Sequence, residues 1–131
     1  MSRANVEIAK RCGDAFNRRD IGALLDLATP EPTMSSQLPD ASADFRGREG
    51  LERFFEMLDE SWDEFHTDVD EYRDLGDRVL ALGRFTGRGR GSGVTVGAPT
   101  ASILDFRDGQ VSRVRLFLDH GEALRAAGLS E

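Results

Sequence analysis

Cysteine is nearly absent from this chain. Cys12 stands alone, so no disulfide can form within the sequence, and such sparing use fits a reducing compartment. No run of about 18 apolar residues occurs, which excludes a membrane-spanning helix. The opening residues, MSRANVEIAKRC, lack the apolar core of a signal peptide, and a cytoplasmic location is expected. Positive charge is also scarce: 17 Lys and Arg against 24 Asp and Glu leave a net −7, a field that repels nucleic-acid phosphates. The only two histidines, His66 and His120, lie far apart, and no His/Cys/carboxylate spacing resembles a zinc or calcium site. No metal and no cofactor is therefore expected.

What remains is an ordinary globular composition. Over 131 residues, 39% are hydrophobic and 31% charged, enough for one domain, 1–131, with a single sizeable core. Val6, Ala9, Cys12 and Phe16 recur at helical spacing and predict a helix over Ala4 to Arg18. Asp20 is placed to cap a second, short helix over Ile21 to Ala28, which Pro30 and Pro32 would stop. A strand over Thr33 to Leu38 and a polar loop over Pro39 to Gly47 follow. Leu51, Phe54, Phe55, Leu58 and Trp62 then draw one apolar stripe on a helix over Arg48 to Trp62.

Strands are expected over Phe65 to Leu75 and Val79 to about Arg90, with Gly76-Asp77 turning between them. The glycines of GRGRGSG make a loose hairpin before Val94-Thr95-Val96. A phosphate loop is excluded there, because the Lys-Ser/Thr ending is missing and a strand follows. Arg84, Arg88 and Arg90 would lie on the outer face of the sheet.

The last third organises the rest. Ser102, Leu104 and Phe106 alternate with Ala101, Ile103 and Asp105, and Asp108-Gly109 is a strong hairpin signal. The return strand, Val111 to Asp119, has Val114, Leu116 and Leu118 on one face and Arg113, Arg115, Phe117 and Asp119 on the other. A charged face that carries a large ring is expected to be a pocket wall. Glu122 to Ala127 forms a closing helix with Gly128 as its stop. Helices first and antiparallel strands after give an α+β fold.

Four segments, AFNRRDIGALLDLATPE, FRGREGLERFF, LGDRVLALGRFTGRGRGSG and FRDGQVSRVRLFLDHGEAL, occur in this order. Together they resemble the nuclear transport factor 2-like superfamily, and within it the SnoaL-like proteins. The resemblance implies a cone: a curved antiparallel sheet wrapped around three helices, with a pocket at the open end and often a homodimer through the outer sheet face. Relatives include ketosteroid isomerases, polyketide cyclases and members with no catalytic role. The isomerase pattern places Cys12 at its tyrosine, Leu38 at its carboxylate base and Ser102 at its protonated acid, so its three key groups are missing. It places Arg113, Arg115 and Phe117 in the pocket lining, with Ser102 and Leu104 on the neighbouring strand. The cyclase pattern offers Asp119 as acid or base.

Each candidate has a plainer alternative. Asp119 either moves a proton or caps the last helix. Arg113 and Arg115 either fork onto a ligand oxygen or face solvent or a partner. Trp62 is a platform at the pocket mouth or ordinary core, and His66 a proton carrier or a surface residue. The expected protein holds a small organic molecule. If catalytic, it transfers a proton or adds water at a carbonyl or ring compound, with Asp119 moving the proton, Arg115 holding an oxygen, and Ser102 and His66 assisting. The rival is a non-catalytic binding or assembly module, and an apolar cavity without Asp119 and an arginine would favour it.

Overall fold

A computed structural model describes residues 2–38 and 40–129. The N-terminal amphipathic segment forms α1, Ser2–Asn17. Asp20 Oδ1 accepts the Ala23 N–H at 3.0 Å and so starts α2, Ile21–Asp26. The chain enters β1, Ala28–Ser36, earlier than the prolines suggest. Pairing of β1 is irregular between Ala28 and Thr33, so Pro30 and Pro32 sit where no ladder bond is required. Pro39, where the expected loop begins, lies outside the described residues. That loop contains a short strand, β2, Ala43–Arg46, with only Phe45 buried.

Next come α3, Gly47–Ser61, and β3, Trp62–Asp74. Trp62 is already extended (φ −128°, ψ 131°), so the apolar stripe of α3 ends one residue sooner than its spacing suggests. The remaining strands are β4, Arg78–Gly89, β5, Thr95–Arg107, and β6, Gln110–Phe117. The chain closes with α4, His120–Ala126. Asp108 (φ 53°) and Gly109 (φ 78°) both take positive φ, as a two-residue hairpin turn requires. β5 is one continuous strand. Its Pro99 lies beyond the reach of β6, whose pairing starts at Ala101, so one edge is free to lose an N–H.

The strand order is β2-β1-β6-β5-β4-β3 in one curved, unclosed sheet. Its neighbours pair antiparallel, except that β1 runs parallel to β6. The concave face takes α1, α2 and α3. At one end Phe16, Phe45, Phe54, Phe55, Phe65 and Phe85 cluster, with Phe65 stacked on Phe85 at 5.0 Å. At the other end Ala9 packs on Val79, Leu104, Phe106 and Val111. Asn17 pins α1 across the sheet: its amide donates to the Thr67 carbonyl, and its Oδ1 accepts the Thr67 N–H, both at 2.9 Å.

The fourth helix lies on the convex face. There Ala123, Leu124 and Ala127 cover Leu80, Leu82, Ala101, Ile103 and Phe117. His120 Nε2 lies 2.9 Å from the Gly83 carbonyl and 3.0 Å from that of Thr100. Carbonyls only accept, so this nitrogen carries the proton and ties α4 to two strands. Arg84, Thr86 and Arg88 remain exposed on the convex face. Arg90 does not join them. Its guanidinium turns back to the Asp59 and Trp62 carbonyls and to Asp63, bracing the junction of α3 and β3.

Candidate functional site

Between the two concave clusters lies a cavity of about 150 Å³. The register explains where it comes from. Tyr72 on β3, Ala81 on β4, Ser102 on β5 and Leu116 on β6 are successive cross-strand partners, forming one row across the floor. Ala81 and, two residues on, Gly83 are the small members that leave the floor low. A side chain at Gly83 has no room in any case, because its Cβ would collide with the Asp68 carbonyl. Val114 and Leu104 form the next row, and Cys12, Gly13 and Phe16 of α1 form the roof.

The wall is overwhelmingly apolar. Among the described residues it includes no Asp, Glu or His, and its one charged residue is Arg46, which is exposed. Burial pushes the Cys12 thiol up from 9.0 to about 12, still further from ionising at neutral pH. Burial also raises the Tyr72 phenol above its ordinary value, and the neighbouring Cys12 adds to that rise. Both groups therefore sit in the cavity as neutral hydrogen-bonding atoms. Among the described residues, no group of three or more His, Cys, Asp or Glu is placed to hold a metal ion. No helix among them is long and apolar enough to cross a membrane.

The sequence profile of the SnoaL-like domain matches residues 9–114. The chain belongs to the SnoaL-like family. Solved structures agree with this at the level of the fold. A candidate SnoaL-like polyketide cyclase from Jannaschia sp. CCS1 is 25% identical with a TM-score of 0.76, over 96% of this chain and 90% of that one. An NTF2-like protein of unknown function from Burkholderia pseudomallei K96243 is 20% identical with a TM-score of 0.79, over 93% and 95%. TerC, co-crystallized with polyporic acid, is 20% identical with a TM-score of 0.78, over 96% and 97%. No curated protein sequence matches the chain.

In this SnoaL-like domain the expected site residues separate into two groups. Cys12, Leu38, Ser102 and Leu104 lie on the cavity wall. Arg113, Arg115 and Phe117 do not, and this corrects the expected face of β6. Ser102 pairs with Leu116 and Leu104 with Val114, so the inward face of β6 is the aliphatic one. The outward face pairs Arg113 with Asp105 and Arg115 with Ile103. There Arg113 Nε binds Asp105 Oδ2 at 2.9 Å, and Arg115 lies 3.5 Å from Oδ1. Phe117 is buried because α4 covers it.

Asp119 is exposed and caps α4, its Oδ1 accepting the Gly121 N–H at 3.2 Å. His66 points outward on the edge strand β3 and pairs with Asp68 at 3.0 Å. Trp62 is buried against Phe65 and Phe85 and is not on the wall. The sequence reading missed Tyr72. Its signal is a single ring inside the charged run DEYRD.

Proposed function

We propose that this SnoaL-like protein binds a small, uncharged and largely apolar molecule, and does not use a carboxylate or histidine for proton transfer. The observation that carries the reading is the wall itself: neither group lines it, and Asp119, His66, Arg113 and Arg115 all stand outside it. A proton carrier must come within about 3 Å of the proton it moves, or reach it through one water. The size supports a compact ligand. An engineered apolar cavity of about 150 Å³ takes benzene, so a single ring with small substituents fits this one better than a steroid-sized skeleton. That TerC was crystallized with polyporic acid supports ligand binding as a use of this fold.

The test is a thermal-shift series with toluene, cyclohexanone and phenol as neutral single rings, and benzoate as the charged control. A ligand at about 100 times its Kd adds roughly 2.7 kcal/mol of stability. The neutral rings should raise the Tm, benzoate should not, and Ala81→Leu, which fills the floor, should abolish the shift. A response to benzoate alone, or to none of the four, would overturn the reading.

A further inference from the structure

We infer that Tyr72 is the polar anchor of this cavity, and that its ligand carries an uncharged oxygen, a ring hydroxyl or ketone, directed at the corner where Tyr72 meets Cys12. The inference rests on the binding reading above and specifies the class of ligand.

It follows from an accounting of the hydroxyls. Thr67 Oγ1 donates to Asn17 Oδ1 at 3.2 Å, and Thr100 Oγ1 donates to the Phe117 carbonyl at 3.0 Å. Both are committed to the protein. Thr33, on β1, also borders the cavity, but three strands, β6, β5 and β4, separate it from Tyr72 on β3. Ser36 Oγ is occupied by the Leu38 N–H at 3.0 Å.

Towards β3, Tyr72 and Ser102 are left, with the Cys12 thiol, and no side-chain hydrogen bond joins any of these three to the protein. A tyrosine hydroxyl set among apolar groups normally finds a partner, since leaving it unpaired forfeits a hydrogen bond. The position of this one is well defined. The hydroxyl lies 3.8 Å from where a Cβ on Gly13 would stand, directly beneath α1, while Lys10 Nζ lies 5.7 Å from the centre of the ring. Tyr72 is half-buried and lines the wall, with its hydroxyl on the α1 side of the cavity.

An anionic ligand would be the wrong complement. The burial that raises the thiol and the phenol above their ordinary values also penalises a charged guest. A pure hydrocarbon would fill the volume but leave the hydroxyl unpaired. A neutral oxygen satisfies both conditions, accepting from Tyr72 as a ketone or exchanging donor and acceptor roles as a hydroxyl.

The experiment compares dissociation constants for phenol and toluene at pH 7 by NMR titration, in wild type and Tyr72→Phe. Tyr72→Phe should weaken phenol about fivefold and leave toluene unchanged, the effect of one lost hydrogen bond. If both probes bind and their ratio is the same in the two proteins, the inference is overturned while the binding reading stands. If neither binds wild type, the binding reading falls, and the inference with it. A second measurement needs no variant. This is the only tyrosine in the chain, so its ring resonances report the site directly. They should shift more with saturating phenol than with saturating toluene, and equal shifts would overturn the inference.

Discussion

The indole of Trp62 occupies the space that a side chain at position 87 would need. A Cβ on Gly87 would stand 2.5 Å from Trp62 Cε3 and 2.6 Å from Cζ3. The ring thus lies directly on the backbone of β4 and covers the strand where it has no side chain of its own. Gly87→Ala should cost about 1–3 kcal/mol through overpacking. Trp62 is the sole tryptophan, so the displacement should also red-shift its fluorescence. Wild-type stability with unchanged emission would contradict this contact.

Cys12 links stability to alkaline pH. Its thiol ionises near 9.0 when unfolded but only near 12 when folded, so the unfolded chain holds fewer protons between those values. Stability is therefore full below pH 9 and declines above it, by up to about 1.4 kcal/mol per pH unit from this one group. Tyr72 pushes in the same direction at higher pH. Denaturant melts at pH 8, 9.5 and 10.5 should show a steeper loss for wild type than for Cys12→Ala. Parallel curves would refute it. Native Cys12 should also react with a thiol reagent at pH 8 at least about tenfold more slowly than in denaturant.

Arg115→Leu tests the corrected face of β6. The substitution removes one of two arginines from Asp105, which keeps Arg113 at 2.9 Å. Stability should fall by about 1 kcal/mol or less, and the affinity for neutral rings should not change. A tenfold loss of affinity would return Arg115 to the cavity.

Asp119→Ala should remove the cap of α4, costing about 0.5–2 kcal/mol, again without an effect on ligand affinity. His120→Ala should cost as much or more, because the Gly83 and Thr100 carbonyls lose their shared donor. Loss of binding in Asp119→Ala with stability intact would restore this carboxylate as a site residue.

The helices and the Asp108-Gly109 hairpin are legible because their signals are local: an apolar stripe, a capping carboxylate, a dipeptide suited to positive φ. The inward face of β6 is not local information. Pairing with β5 shifts between Asp105 and Phe106, so Val111 and Val114 both face inward although three residues apart. Strict alternation cannot be carried through such a bulge. β3 has another between Val69 and Glu71, which puts Val69 and Tyr72 on the wall together and hides the tyrosine from a period-2 reading. Phe117 misleads for a different reason. What covers it is the closing helix, which Asp119 and Gly128 do announce, but nothing local says that this helix packs on the convex side of the sheet. The positions of Cys12, Leu38 and Ser102 came from resemblance to the family, because nothing in their own surroundings in sequence gathers them around one space.

The parallel pairing of β1 with β6 has a consequence for biogenesis. Ser36 meets Leu116, so the first long strand waits for nearly the whole chain before it gains its neighbour on that side. While the ribosome is still adding residues, β1 and β5 each present an open edge, and the aromatic cluster has helices but only part of its sheet. The cavity wall is then complete only once β6 has been made. A chain halted before Gln110 would carry the roof and most of the floor, lack Val111, Val114 and Leu116 from the wall, and leave β1 and β5 with open edges.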